Sequence, residues 1–147
     1  MEESVDKLRM PITDGKIQLE GCKMLESLSE SGMGIDNAFH ITEESIKFFC
    51  DMGVIPVLIK AMRARGRDSR FQASACNTIR HIGSDGRDFC VTLLMVVDRV
   101  KDMVFQNNGV ENIVKSMLNF PDHEDIQEGA CFCLEHFIGH GRCDRHY

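Results

Sequence analysis

The chain contains no tryptophan, and its 147 residues include only three prolines and one tyrosine. Its longest apolar run, residues 90–97, is interrupted by Thr92. That run is far shorter than the roughly 20 apolar residues that cross a bilayer as a helix. The seven cysteines are an odd number, and the chain begins with acidic residues and no apolar signal core. We therefore expect a soluble cytoplasmic protein, with the nucleus left open, and no disulfide framework.

An excess of positive charge is also missing. Asp and Glu number 23 against 17 Lys and Arg, which gives a formal charge of -6. Such a chain has no overall field that attracts phosphate, so we expect no membrane partner and do not expect nucleic acid. A globular chain of this length removes about two thirds of its unfolded surface from water. Composition therefore favours one globular domain, residues 1–147.

Three segments of the chain resemble one another, and they are spaced 54 and 55 residues apart: residues 17–28, 71–82 and 126–137. In each, an apolar residue and a Gln precede a small residue, a Cys and two further apolar residues. These apolar and small positions form one stripe of a helix. A glycine follows each segment at the same offset, namely Gly32, Gly86 and Gly141, and predicts a repeated helix stop.

A second matched element precedes the second and third segments. Residues 53–62 align with residues 109–118, glycine on glycine, at a spacing of 56. Pro56 fits the first turn of a helix. Asp68 or Ser69, and Asp122 or Asp125, are the candidate N-caps of the following helices. Further helices are predicted over residues 42–52 and 88–106, so the repeated unit has three helices.

These residues resemble an armadillo repeat. The resemblance rests on Gly-Val-Ile-Pro followed by Val57, Leu58 and Ile59, and then by Phe-Gln-x-x-Ala-Cys-x-x-Ile-x-x-Ile 18 residues after the Gly. It implies an all-α fold, a right-handed α-α superhelix (an armadillo-like solenoid) of about two and a half repeats. The units are a partial repeat 1–32, repeats 33–86 and 87–141, and a tail 142–147.

The chain departs from the armadillo pattern in two ways. The period is near 55 residues, whereas armadillo and HEAT units take about 40 to 47. The first copy also lacks a first helix. Because stacked repeats need polar caps at their ends, three interpretations stay open: a fragment of a longer solenoid, a protein whose ends pair with a second copy or a partner, and a self-capped monomer.

The third helices of armadillo proteins line a groove that holds extended peptides. The resemblance therefore implies a non-catalytic protein interaction or scaffold module. The exposed positions of these helices form the predicted groove: Lys23, Glu26, Ser27, Asn77, Arg80, His81, Phe132, Glu135 and His136. The nuclear-import receptors of the family use Trp and Asn there, so binding of classical nuclear signals is not expected. Two alternatives remain: ordinary solvated helix faces, and self-assembly through the exposed ends.

Cysteine and histidine raise the question of a metal. Cys22, Cys76 and Cys131 share one position in the three copies, and we predict that they pack inward. A C-terminal group offers candidate zinc ligands: Cys133, His136, His140 and Cys143. Gly139 and Gly141 should end the helix there, and no Cys-x-x-Cys knuckle is present. We therefore predict no metal and no cofactor.

The sequence contains no constellation typical of an enzyme. The phosphate-binding loop Gly-x-x-x-x-Gly-Lys-Ser/Thr, the Gly-x-Ser-x-Gly elbow and His-Glu-x-x-His are all missing. Arg63, Arg65, Arg67 and Arg70 form a basic loop able to contact a phosphate or an acidic partner. Asp68 interrupts this loop, and it lacks the interleaved aromatics typical of single-stranded nucleic-acid binding.

Overall fold

The structure, a computed structural model, describes residues 2–9, 19–23, 25, 43–83 and 91–138. These residues form helices joined by short turns, with no strand among them, which confirms the all-α prediction. The helices are α1 (Glu2–Arg9), α2 (Glu43–Asp51), α3 (Val54–Ala64), α4 (Ser69–Gly83), α5 (Val91–Gln106), α6 (Gly109–Asn119) and α7 (Glu124–Ile138). Residues 19–23 and 25 are also helical. The predicted stop glycines, Gly32, Gly86 and Gly141, lie outside the described residues.

Equivalent helices of successive units pack on one another. α2 packs against α5, α3 against α6, and α4 against α7, and the last of these contacts is the most extensive among the described helices. Within a unit, α3 also packs against α4, and α6 against α7. α1 packs against α3, as expected if α1 is the second helix of the first copy. The described segments from α2 to α4 and from α5 to α7 each contain three helices, which is the number that the sequence predicts for one unit.

The apolar stripes that were read from the sequence form the core. On α2, Ile46, Phe49 and Cys50 are buried, and on α5 Val100 and Val104 are buried. Together with most of the buried apolar residues of α3, α4 and α7 they belong to one continuous cluster. Complete burial of one such aliphatic or aromatic side chain contributes about 1.5 to 3 kcal/mol. Burial along the stripes therefore stabilises both the helices and their stacking.

The register between the two units is 55 residues, so the alignment of Gly53 with Gly109 is wrong by one residue. Gly53 and Asn108 each precede a helix, and each adopts the left-handed conformation, with φ of 66° and 57°. Asn tolerates this conformation better than most residues that carry a Cβ. The structural equivalent of Gly53 is therefore Asn108, and the second-helix spacing equals that of the third helices.

Gly109 is instead required by close packing at the start of α6. A Cβ there would lie 2.6 Å from Cγ1 of Val104 and 2.8 Å from Cδ1 of Ile59. Both distances are well below van der Waals contact, so a side chain at this position would separate α6 from α5 and α3. Gly109, which the sequence alignment matched to Gly53, is therefore needed because it has no side chain.

The helix N-caps were predicted correctly for one repeat only. The backbone N–H of Phe71 donates to Oδ1 of Asp68 at 3.1 Å, so Asp68 caps α4. In the next repeat α7 begins at Glu124, and the capping position belongs to His123, whose carbonyl accepts from the N–H of Gln127 at 3.0 Å. The candidates Asp122 and Asp125 were wrong, since one precedes that position and the other lies within the first turn. Acidic residues there favour the helix N-terminus without capping it.

Candidate partner-binding face

The third helices lie side by side, and small residues allow their close approach. Sγ of Cys22 lies 3.9 Å from Oγ1 of Thr78, between the helix at residues 19–25 and α4. Between α4 and α7, the Cys133 thiol donates to the carbonyl of Cys76 at 3.5 Å. A Cβ on Gly129 would lie 3.3 Å from Cβ of Cys76. We call the surface along these three helices the third-helix face.

The repeated cysteine position is buried in two copies and exposed in the third. Cys22 and Cys76 are completely buried, as predicted, whereas Cys131 is exposed and that prediction was wrong. This position faces the following third helix. Cys76 is covered by Gly129 and Cys133 of α7. α7 is the last helix among the described residues, so none of them covers Cys131. Cys133, two residues later, is the buried cysteine of α7.

The predicted groove residues differ in their exposure. Lys23 and Glu135 are exposed, and His136 is buried, which corrects its assignment to the groove rim. The remaining described members are half-buried: Asn77, Arg80, His81 and Phe132. Glu26 and Ser27 lie outside the described residues.

Three of these residues form a stack that crosses from α4 to α7. Cζ of Arg80 lies 4.7 Å from the centroid of the Phe132 ring. The Phe132 and His136 rings stack with their centroids 4.4 Å apart and their planes 18° apart. A guanidinium over an aromatic face contributes about 0.5 to 1 kcal/mol at exposed sites. We call Arg80, Phe132 and His136 the aromatic ladder.

Glu128, which was not among the predicted groove residues, completes this arrangement. Its Oε1 lies 3.0 Å from Nη1 of Arg80. Glu128 precedes Phe132 by one helical turn, so the two side chains share a face of α7. That spacing was the signal available in the sequence. The guanidinium is thus held in place by a carboxylate and by the face of a ring.

A repeated glutamine, matched in the sequence but given no role there, closes the turn between the second and third helices. Nε2 of Gln72 donates to the carbonyls of Met62 and Arg65, both at 2.9 Å. The last carbonyls of a helix have no partner within it, so Gln72 caps α3 from α4. The equivalent Gln127 donates to the carbonyls of two residues at the same offsets, Met117 and Phe120, at 3.0 Å each.

Gln72 also connects α4 with α6. It is buried, and its Oε1 lies 2.5 Å from Oγ of Ser116 on α6. The same hydroxyl lies 2.9 Å from the carbonyl of Asn112, and its single proton donates to one of these oxygens at a time. One side chain thereby connects α3, α4 and α6.

The candidate zinc ligands are not assembled within the described residues. Cys133 lies in the interface between α4 and α7, and His136 stacks on Phe132. His140 and Cys143 lie outside the described residues. No group of three or more His, Cys, Asp or Glu in the described ranges is placed to hold a metal. Burial raises the pKa of the Cys76 thiol to about 12 and raises that of Cys133 well above its ordinary value. Burial therefore keeps both thiols protonated at neutral pH.

Comparison with protein-family models, curated proteins and solved structures gives no match to this chain. Among the described helices, none is long and apolar enough to pass through a membrane.

The last unit among the described residues presents an apolar surface, which we call the end face: Phe105, Val114, Cys131 and Ile138. Phe105 is 50% exposed, Val114 37% and Ile138 56%. The residues 55 positions earlier are all buried in the preceding unit: Cys50, Ile59, Cys76 and Gly83. The end face therefore matches a surface that, one repeat earlier, is covered by the next repeat.

Proposed function

We propose that the chain is an armadillo-like right-handed superhelix of about two and a half repeats. It acts as a non-catalytic protein interaction module and binds a peptide or a helical segment along the third-helix face. The packing of equivalent helices on one another supports the repeat architecture. The two glutamines with the same pair of carbonyl acceptors support it independently.

The aromatic ladder is the observation that carries the binding proposal. It places a cation, a phenyl ring and an imidazole in a row across the boundary between α4 and α7. A partner segment would contact Arg80 and Phe132, which are half-buried, while the buried His136 holds the Phe132 ring in place through the stack. Lys23 and Glu135 are exposed on the outer third helices. A segment with one acidic and one basic end would complement them.

Display selection of peptides on the folded protein, followed by affinity measurements on variants, tests this proposal. The variant Lys23→Glu with Glu135→Lys reverses both flanking charges and keeps the net charge. Its matched control, Lys47→Glu with Asp102→Lys, reverses two exposed charges on α2 and α5. Arg80 is a poor choice because a carboxylate there would face Glu128.

We expect the Lys23 and Glu135 variant to bind the selected peptides about tenfold more weakly, since two interfacial charge contacts contribute about 1.4 kcal/mol together. The control should bind as the parent does, and both should keep the parent melting temperature. Equal binding by parent and face variant, or equal loss in the control, would overturn the proposal.

A second candidate function is self-assembly or extension of the stack through the exposed ends. The end face favours it, because three exposed apolar residues and Cys131 lie on the side that another repeat covers one unit earlier. Sedimentation velocity over a wide concentration range tests this function, with Val114→Glu as the disrupting variant. Concentration-dependent association that Val114→Glu abolishes would support it. A strict monomer at every concentration would end it.

A further inference from the structure

The turn between α3 and α4 borders a shallow cleft of about 860 Å³ that is widely open to solvent and dominated by arginines. Its charged lining residues are Arg63, Arg65, Arg67, Arg70 and Asp68. Oδ1 of Asp68 already accepts the hydrogen bond from the backbone of α4. The cleft therefore gathers four cations around one carboxylate in a protein whose formal charge is -6. We call it the arginine cleft.

The fold does not require these arginines. The turn between α6 and α7 is the structural equivalent, and Gln127 closes it as Gln72 closes the first turn. At a register of 55, the four arginine positions correspond to Leu118, Phe120, Asp122 and Asp125. The same turn is thus built once with four positive charges and once with two negative ones. Turn geometry alone does not explain the basic version.

Within the described part of the chain, three of the four arginines have no carboxylate in direct contact, although Arg63 contributes, after Lys115, to the lowered pKa of Glu111. There, no carboxylate forms an ion pair with Arg63, Arg67 or Arg70. Like charges held close together repel one another, and an anion bound among them relieves that repulsion. Guanidinium groups also match the planar geometry of carboxylates.

A smaller hollow adjoins the cleft and is lined mainly by apolar groups. Its volume is about 330 Å³, and its lining includes Pro56, Val57 and Ile59. Arg63 borders both cavities, and its Nη2 donates to the carbonyl of Asn107 at 3.3 Å. A cation therefore stands directly beside an apolar recess on the surface of α3.

We propose that the arginine cleft and its neighbouring hollow bind an acidic peptide segment that carries an apolar side chain next to its carboxylates. The carboxylates pair with the arginines, and the apolar side chain enters the hollow beside Pro56 and Val57. Nucleic acid fits less well, because no aromatic side chain lines either cavity to stack a base. The site comprises α3, the turn after it and the first turn of α4. None of the predicted groove residues in the described part of the chain lines it, so it does not depend on the function proposed above.

Fluorescence anisotropy with a labelled peptide, one leucine followed by four glutamates, tests the site. The test variant is Arg67→Gln with Arg70→Gln, which removes two exposed cations. Lys47→Gln with Lys101→Gln is the matched control, since it removes the same charge from α2 and α5, whose residues do not line the cleft. Circular dichroism of all three proteins checks that the helices are retained.

We expect the cleft variant to bind about tenfold more weakly, because it loses two exposed ion pairs with the probe. The control should stay within about twofold of the parent. Replacing the leucine of the probe by glycine should weaken binding to the parent about fivefold if the hollow is used. Added salt should weaken binding by the parent more than binding by the cleft variant.

Three results would overturn the proposal. The first is an equal loss of affinity in the cleft variant and the control, which would show only a net-charge effect. The second is equal affinity for the leucine and glycine probes, or complete displacement of the probe by an equal concentration of inorganic phosphate. Either outcome would show that the site binds an anion without using the apolar hollow. The third is tighter binding of a single-stranded oligonucleotide of the same charge, which would assign the cleft to nucleic acid.

Discussion

Replacing Gln72 by alanine tests how α4 is joined to α3 and to α6. The change removes the donor to the carbonyls of Met62 and Arg65 and the acceptor for Ser116. Because Gln72 is buried, water cannot readily take over these bonds. Gln127→Ala is the matched control. It removes the same pair of carbonyl contacts from a residue that is only half-buried.

The expected magnitude follows from the three contacts. A buried hydrogen bond contributes about 1 kcal/mol net, and a buried polar group that loses its partner costs about 1 to 3 kcal/mol. The carbonyl of Met62 also accepts from the N–H of Arg65 at 3.3 Å, so it keeps part of its bonding. We therefore expect Gln72→Ala to lower the free energy of unfolding by about 3 kcal/mol, and Gln127→Ala by about 1 kcal/mol.

Urea unfolding followed by circular dichroism measures both changes, with the dependence on urea concentration checked for constancy. A double-mutant cycle of Gln72→Ala with Ser116→Ala should give a coupling energy of about 1 kcal/mol. Equal losses for Gln72→Ala and Gln127→Ala, or a coupling energy near zero, would refute the inter-repeat contact.

Three further predictions concern packing and thiols. Gly109→Ala should lower the free energy of unfolding by about 2 kcal/mol or more, because the overlap with α5 and α3 outweighs the gain of up to about 1 kcal/mol in helix propensity. An unchanged or raised melting temperature would contradict the close approach of Gly109 to Val104 and Ile59. In the native protein a maleimide should label Cys131, and mass spectrometry should find Cys76 and Cys133 labelled only after unfolding; labelling of all three at one rate would contradict the exposed end face. The Cys76 pKa is raised from 9.0 to about 12, so its contribution to stability is complete below about pH 9 and falls as pH rises through 12. Cys76→Ala should accordingly make unfolding free energy less dependent on pH in that range, and an unchanged slope would show that burial does not hold the thiol neutral.

Local pattern was sufficient to predict the helices. The positions of Ile46, Phe49 and Val100 follow a helical period, and periodicity depends only on which side of a helix faces the core. The register was harder to predict, because Gly53 and Gly109 are the same residue in different roles. One tolerates a left-handed backbone, and the other leaves space for Ile59 and Val104. Composition cannot distinguish these two reasons for a glycine.

The candidate face was predictable only in part. The sequence pattern predicts that Arg80 and Phe132 lie on the outward side of their helices. Their contact with each other depends on how α4 and α7 pack, which the pattern does not contain. Cys131 shows the same limit, since its burial depends on whether another unit follows rather than on its own helix. Residues that act between repeats require the stacking geometry, which the sequence period alone does not supply.

The central claim is that equivalent helices of successive repeats lie against one another and place the aromatic ladder across α4 and α7. Nuclear Overhauser contacts between assigned side chains in solution test it most directly. We predict contacts between the Phe132 ring and the Arg80 side chain, and between the side-chain amide of Gln72 and Ser116. Well-resolved spectra that show contacts within each repeat but neither of these two would contradict the account.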